Sequence, residues 1–65
     1  MMGLFSSKLK SPAIYKGKNG SMGYRTNEIY TLTVWIDEGF IWVKSPGFSE
    51  CPYSPKAFQK IWEFV

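Results

Sequence analysis

Side chains that carry out acid–base, nucleophilic or metal chemistry are scarce in this sequence. Its 65 residues include no histidine, one cysteine and five carboxylates. Cys51 stands beside Pro52 without a histidine to act as its base, so we expect a small buried thiol rather than a nucleophile. Asp37 and Glu38 fall at a predicted turn, where solvent surrounds their charges. Since an enzyme needs such groups gathered in a pocket, the sequence predicts a protein that is not an enzyme, with no catalytic residue, metal site or cofactor.

Aromatic side chains are the more suggestive feature, because 18% of the residues are Phe, Trp or Tyr. Read with period two, Trp35 and Trp42 fall on the side of two predicted strands that faces away from the core. Tryptophan and tyrosine dominate the energetic centres of protein interfaces. The candidate partner-binding residues are therefore Trp35, Trp42, Tyr24 and Phe40. The alternative is that one or both tryptophans cover the core against a C-terminal helix.

Basic residues suggest a second kind of partner. Residues 1–25 carry five basic side chains and no acid (+5), and residues 26–65 carry three against five acids (−2), which gives the net charge of +3. A basic half attracts an acidic partner or simply keeps a protein in solution. The alternative function is therefore single-stranded nucleic-acid binding, in which Tyr15, Tyr24 or Trp42 stack on bases. The basic residues expected to contact phosphates are Lys16, Lys18, Arg25 and Lys44.

A hairpin is the clearest structural element of the sequence. Two runs rich in β-branched and aromatic residues, 28–36 and 40–44, flank a turn at 37–39 whose Gly39 accepts a positive φ. The period of two places alternate residues of both strands on one face, which we expect to form the core. These residues are Tyr30, Leu32, Val34, Ile36, Ile41 and Val43.

The segments on either side of the hairpin are shorter and less regular. We expect a first strand over 13–16, a glycine-rich crossing loop over 17–23 and short strands starting at Met22 and spanning 48–51. The glycine-rich segment is not a phosphate-binding loop of the Walker type, because Gly17-Lys18 is followed by Asn19 and then by a strand. A loop that joins two strands is the favoured interpretation.

The last segment has the pattern of a helix. Ser54 is a suitable N-cap and Pro55 suits the first helical position, where its missing N–H has no intrahelical partner. The pattern predicts a helix over 55–64. The apolar residues with helical spacing, Phe58, Ile61, Trp62 and Val65, are expected to pack on the sheet.

These elements together predict one mainly β domain over 13–65, preceded by a flexible tail over 1–12. The expected fold is a small SH3-like barrel or a curled antiparallel sheet of four to five short strands, with one C-terminal α-helix packed on it. One cysteine indicates a cytoplasmic location, and the absence of an apolar run of about 20 residues argues against a membrane span. An exposed sheet edge leaves a homodimer open.

Four groups of residues resemble a known set of proteins. They are Tyr15-Lys16-Gly17 with Gly20-Ser21-Met22-Gly23-Tyr24, a strand with Tyr30 and Leu32, the strand Ile41-Trp42-Val43, and Cys51-Pro52-Tyr53-Ser54 leading into Phe58 and Trp62. Over about residues 13–63 the chain resembles short uncharacterised proteins of bacteriophages and prophages of Gram-positive bacteria. This resemblance implies a viral origin rather than an activity. We therefore expect a host protein as the partner, in the manner of a host-takeover or anti-defence inhibitor; a minor virion component is a further possibility.

Overall fold

A five-stranded antiparallel sheet makes up most of the protein. The computed structural model describes residues 8–65. The elements in chain order are β1 (Leu9–Tyr15), β2 (Ile29–Asp37), β3 (Phe40–Lys44), β4 (Cys51–Tyr53), α1 (Pro55–Ile61) and β5 (Trp62–Phe64). Across the sheet the strands lie in the order β4-β3-β2-β1-β5. The chain thus runs as a meander through four strands and then returns to pair its last strand with its first.

The sheet curls into a half-barrel, and the predicted mainly β fold with a C-terminal helix is confirmed. Of the two expected forms, the open curled sheet is the one found, since no pairing joins β4 to β5 within residues 8–65. Helix α1 contacts β3, β4 and β5. Because β4 and β5 are the two edges of the sheet, the helix covers the concave side between them.

The β2–β3 hairpin forms as the sequence predicts. Asp37 lies opposite Phe40, and the register continues through the pairs Ile36–Ile41 and Trp35–Trp42. The two turn residues, Glu38 and Gly39, have φ values of 53° and 82°. Two positive φ values are typical of the turn whose twist matches that of the strands it joins. The alternation of side chains on both strands is therefore the predicted one.

The concave face of the half-barrel holds the core, and we call it the inner face. Its buried hydrophobic residues are Ala13, Tyr15, Tyr24, Leu32, Val43, Phe58 and Trp62. Leu32 and Val43 confirm the predicted core side of the hairpin, and Tyr30, Val34 and Ile41 pack against this cluster. Ile36 does not, since 71% of its surface is exposed. The described pairing of β1 with β2 begins at Leu9 and Val34. Within residues 8–65, Ile36 therefore has a neighbouring strand on its β3 side alone.

Helix α1 begins where predicted but ends three residues earlier. The Ser54 hydroxyl accepts a hydrogen bond from the Ala57 N–H at 3.2 Å, and Pro55 occupies the first turn. At Trp62 the backbone becomes extended (φ −124°, ψ 137°), and β5 pairs Trp62 with Tyr15. The predicted helix over 55–64 is therefore wrong beyond residue 61. Val65 consequently lies 69% exposed rather than on a helical apolar stripe.

The first strand starts earlier than predicted. Residues 9–12 belong to β1 and pair with β2, from Leu9 opposite Val34 to Pro12 opposite Thr31. The predicted flexible tail over 1–12 is therefore wrong for residues 9–12, and its first seven residues lie outside the described part of the chain. Pro12 fits in the strand because its carbonyl, the one hydrogen-bonding group it retains, accepts the Val65 N–H at 3.2 Å.

The loop from β1 to β2 contains a 3₁₀ turn, Ser21–Gly23, instead of a predicted strand. Met22 and Gly23 have φ values of 56° and 88°, which a strand does not allow. A Cβ at position 23 would also lie 3.2 Å from the Phe48 ring. The loop interpretation of this segment is thus confirmed. The strand predicted over 48–51 is wrong for residues 48–50, since the strand observed there is Cys51–Tyr53.

Candidate binding face on the outer side of the sheet

Two tryptophans form a pair on the convex side of the sheet, which we call the outer face. Trp35 of β2 lies directly opposite Trp42 of β3. Their ring centroids are 6.3 Å apart and the ring planes differ by 11°. Both side chains are partly exposed. Side chains of successive strand residues point to opposite faces, and the neighbours of Trp42, Ile41 and Val43, pack on the inner side.

A lysine lies over one ring of this pair. The Lys8 ammonium lies 4.5 Å from the centre of the Trp35 ring, within the range of a cation–π interaction. Lys8 precedes Leu9, which is paired with Val34, so it approaches Trp35 from the β1 side. Trp42 approaches from the β3 side. Trp35 therefore has an ammonium group as its neighbour on the β1 side and a second indole as its neighbour on the β3 side.

The outer face carries further basic and apolar groups around the tryptophans. Next to the Trp pair, a row across three strands places Lys10 of β1 and Lys44 of β3 on either side of Thr33. Pro52 of β4 lies opposite Trp42. The residues that make up this candidate site are Lys8, Lys10, Thr33, Trp35, Phe40, Trp42, Lys44 and Pro52.

The three lysines of this site have no carboxylate partner in the described structure. Within residues 8–65 the one salt bridge joins Lys16 to Glu63 at 3.7 Å. The Lys44 ammonium instead donates a hydrogen bond to the Phe48 carbonyl oxygen at 2.9 Å. The site therefore combines two indoles with positive charges that no acidic side chain of residues 8–65 neutralises by direct contact.

The structure brings together three of the four predicted partner-binding residues. Trp35 and Trp42 form the centre of the outer face, and Phe40, 48% exposed, lies two residues before Trp42 on β3. Tyr24 was predicted wrongly, because only 1% of its surface is exposed. Its ring stacks on Phe48 in the core, with centroids 4.2 Å apart.

The burial of Tyr24 has chemical consequences on the inner face. Its hydroxyl forms a hydrogen bond of 2.7 Å with the hydroxyl of Ser45, which is itself 3% exposed. Burial raises the pKa of Tyr24 above its ordinary value, although the Ser45 hydrogen bond acts in the opposite direction. Burial also raises the pKa of Tyr53 to about 12. These hydroxyls are protonated structural groups, and they do not belong to the outer face.

The residues predicted to bind nucleic acid are not gathered into one site. Tyr15 and Tyr24 are both buried, so neither offers a ring to a base. Lys16 contacts Glu63 at the opposite end of β1 from the tryptophans. Lys10, which shares a row with Lys44, lies about 20 Å from Lys16 along the strand, at about 3.3 Å per residue. Lys18 and Arg25 lie in the loop before β2, and phosphate contact by the four residues stays a prediction.

Lys8 and Lys10 are the site residues that the sequence analysis missed. They fall in the segment predicted to be a flexible tail. The signal that identifies them is the antiparallel register of β1 on β2, which extends to Leu9 and Val34. Their neighbours on the sheet cannot be assigned until that register is known.

Cys51 is partly buried and lies opposite Val43, on the inner face. This placement agrees with a packing role more than with a reactive thiol. Within residues 8–65 no group of three carboxylates or cysteines is close enough to hold a metal ion. The α-helix found in that part of the chain has seven residues, too few to cross a membrane.

Comparisons with known proteins give no further information about this site. No protein-family model, curated protein or solved structure matches the chain. The resemblance to bacteriophage proteins and the homodimer both stay predictions.

Proposed function

We propose that this protein is a non-catalytic binding module that attaches to a protein partner through its outer face. The observation that carries the proposal is the position of the Trp35–Trp42 pair. A chain of 65 residues has three tryptophans, and two of them lie on the side of the sheet that the core does not use. Large aromatic groups in partly exposed positions are typical centres of protein interfaces.

The orientation of the rings favours a protein partner over single-stranded nucleic acid. A base binds by stacking on the flat face of an aromatic ring. The Lys8 ammonium lies over the Trp35 ring, so a base must compete with it for that ring. The Trp pair lies on the outer face together with the exposed Phe40 ring. An apolar surface of three aromatic rings flanked by a proline suits the side chains of a polypeptide.

The resemblance to bacteriophage proteins supports a more specific form of this proposal. The partner is then a protein of the bacterial host, bound in the host cytoplasm, and the module acts as a host-takeover or anti-defence inhibitor. Binding alone is sufficient for such a role, because a small domain seated on a functional surface excludes the natural ligands of that surface.

A pull-down with matched variants tests the proposal. The tagged protein is incubated with a lysate of a Gram-positive bacterium, with and without nuclease, alongside the variant Trp35→Ala/Trp42→Ala. The control is Ile29→Ala, since Ile29 is 59% exposed on the same face of β2 but at its opposite end. We expect a stoichiometric protein that survives nuclease and is retained by wild type and control but lost with the double variant.

Two results contradict the proposal. In the first, the captured protein is retained equally by the double variant, which means that the tryptophans do not form the interface. In the second, nucleic acid is recovered and the bound proteins disappear after nuclease treatment. That result favours the alternative, single-stranded nucleic-acid binding.

A further inference from the structure

We propose that the outer face takes an acidic polypeptide segment, whose carboxylates contact Lys8, Lys10 and Lys44 while its apolar side chains lie against the tryptophan rings. This inference rests on the proposed function and specifies the chemistry of the partner. It is carried by the position of three lysines around the indole pair: the Lys8 ammonium lies over Trp35, and Lys10 and Lys44 occupy the neighbouring row of the sheet. Within residues 8–65 none of the three forms a salt bridge with a carboxylate.

The register of the sheet fixes how these charges surround the tryptophans. Lys8 and Lys10 approach from the β1 side and Lys44 from the β3 side, so they bracket β2. Two residues along a strand correspond to about 7 Å, and two strand spacings to about 10 Å. The separation of Lys8 and Lys10 matches carboxylates at alternate positions of an extended chain, which repeat every 7 Å or so, and the separation of Lys10 and Lys44 matches carboxylates about three residues apart.

The acidic residues of the protein are mostly elsewhere. Asp37 is the one carboxylate that alternation places on the same face near the tryptophans, and it lies at the hairpin turn opposite Phe40. Glu63 lies on β5 and is engaged by Lys16. The region around the indole pair therefore has a local excess of positive charge, which attracts an acidic chain and repels a basic one.

Nucleic acid shares the negative charge but not the remaining features. Phosphate contacts by lysine account for part of the affinity for a single strand, and stacking of bases on exposed ring faces accounts for much of the rest. The Lys8 ammonium over the Trp35 ring weakens that second contribution. An acidic polypeptide uses both the charges and the apolar rings of the outer face.

Probe peptides test this inference directly on the full chain. The isotope-labelled protein is titrated with a short unstructured peptide that alternates glutamate with leucine, with the same peptide carrying glutamine for glutamate, and with an oligothymidylate of equal length. The indole N–H signals of Trp35 and Trp42 are followed by NMR. We expect them to shift with the glutamate peptide, with affinity about tenfold higher than for the glutamine peptide, as three exposed ion pairs allow.

Two triple variants separate these lysines from general charge. Lys8→Gln/Lys10→Gln/Lys44→Gln should lose the tenfold preference for glutamate. Lys18→Gln/Lys56→Gln/Lys60→Gln removes the same net charge elsewhere and should keep it. Equal binding of the glutamate and glutamine peptides, equal behaviour of the two variants, absence of any indole shift, or tighter binding of the oligothymidylate each overturns the inference.

The same variants distinguish failure of this inference from failure of the proposed function. Suppose that a lysate protein is lost with Trp35→Ala/Trp42→Ala but is still bound by the variant Lys8→Gln/Lys10→Gln/Lys44→Gln. This result supports the proposed binding module and overturns the inference that its partner is acidic. A captured protein that is insensitive to the tryptophans overturns the binding module itself.

Discussion

The two faces of one sheet use tryptophan in opposite ways. On the inner face, Trp62 is 3% exposed and has the rings of Tyr15 and Tyr24 edge-on at 5.1 and 5.0 Å. On the outer face, Trp35 and Trp42 have each other and Lys8 as close ring neighbours and stay partly exposed. The inner residue is part of the core, and the outer pair is available to a partner.

The difference arises from curvature as much as from sequence. A curled sheet gathers the side chains of its concave side, so aromatic groups from distant segments meet there. On the convex side the same curvature spreads the side chains, and contact is limited to neighbours across adjacent strands. Aromatic residues of similar size thus contribute to the core on one side and remain partly exposed on the other.

The largest expected difference between the faces is in stability. We expect Trp62→Ala to lower the free energy of unfolding by about 3–5 kcal/mol, the usual cost of deleting a buried aromatic side chain. For so small a domain this should abolish the cooperative transition in urea monitored by circular dichroism. The matched change Trp42→Ala should cost about 1 kcal/mol or less, in the range of a cross-strand pair. Equal costs for the two variants would contradict the comparison.

A smaller effect is expected from the buried hydroxyl pair of the inner face. Tyr24→Phe leaves the Ser45 hydroxyl without its partner at 2.7 Å, and an unsatisfied buried polar group costs about 1–3 kcal/mol. Adding Ser45→Ala should recover part of the loss. Tyr30→Phe is the control, because its hydroxyl accepts the exposed Arg25 N–H. The prediction fails if urea denaturation shows the same stability for Tyr24→Phe as for wild type.

The last expected effect is confined to alkaline pH and is absent at neutrality. Burial raises the pKa of Tyr53 to about 12 and also raises that of Tyr24, so the folded state holds these protons more tightly than the unfolded chain, whose tyrosines titrate near 10. The contribution of these two protonated hydroxyls to the free energy of unfolding is fully present below pH 10 and is lost as the pH rises toward 12. Unfolding in urea across this range should show a shallower decline for Tyr53→Phe than for wild type. An identical decline would assign the loss to other groups.

Local sequence patterns correctly predicted the hairpin, its turn and the start of the helix. The alternation around Leu32 and Val43 correctly predicts which side of the hairpin is the core, since strand side chains alternate regardless of context. Gly39 correctly predicts the turn, and Ser54-Pro55 the start of the helix. These predictions succeed because each depends on the conformational preferences of a few adjacent residues.

Other features depend on contacts between distant residues. The helical spacing of Phe58, Ile61 and Trp62 continues to Val65, yet the chain leaves the helix at Trp62 because the edge of β1 offers backbone partners to β5. Tyr24 follows a turn of positive φ values and enters the core next to Phe48. The strand that pairs with Trp62 and the ring that stacks on Tyr24 both belong to segments far away in the chain.

The sequence by itself determined that this protein is mainly β, that its central hairpin has one apolar and one aromatic-bearing side, and that a capped helix follows. Only the tertiary structure decided that the sheet stays open as a half-barrel, that the helix gives way to a fifth strand, and that Lys8 and Lys10 stand beside the tryptophans. The physical reason is the range of the interactions: alternation, turn and capping preferences act within a few residues, whereas register, curvature and burial are set by pairing between segments far apart in the chain.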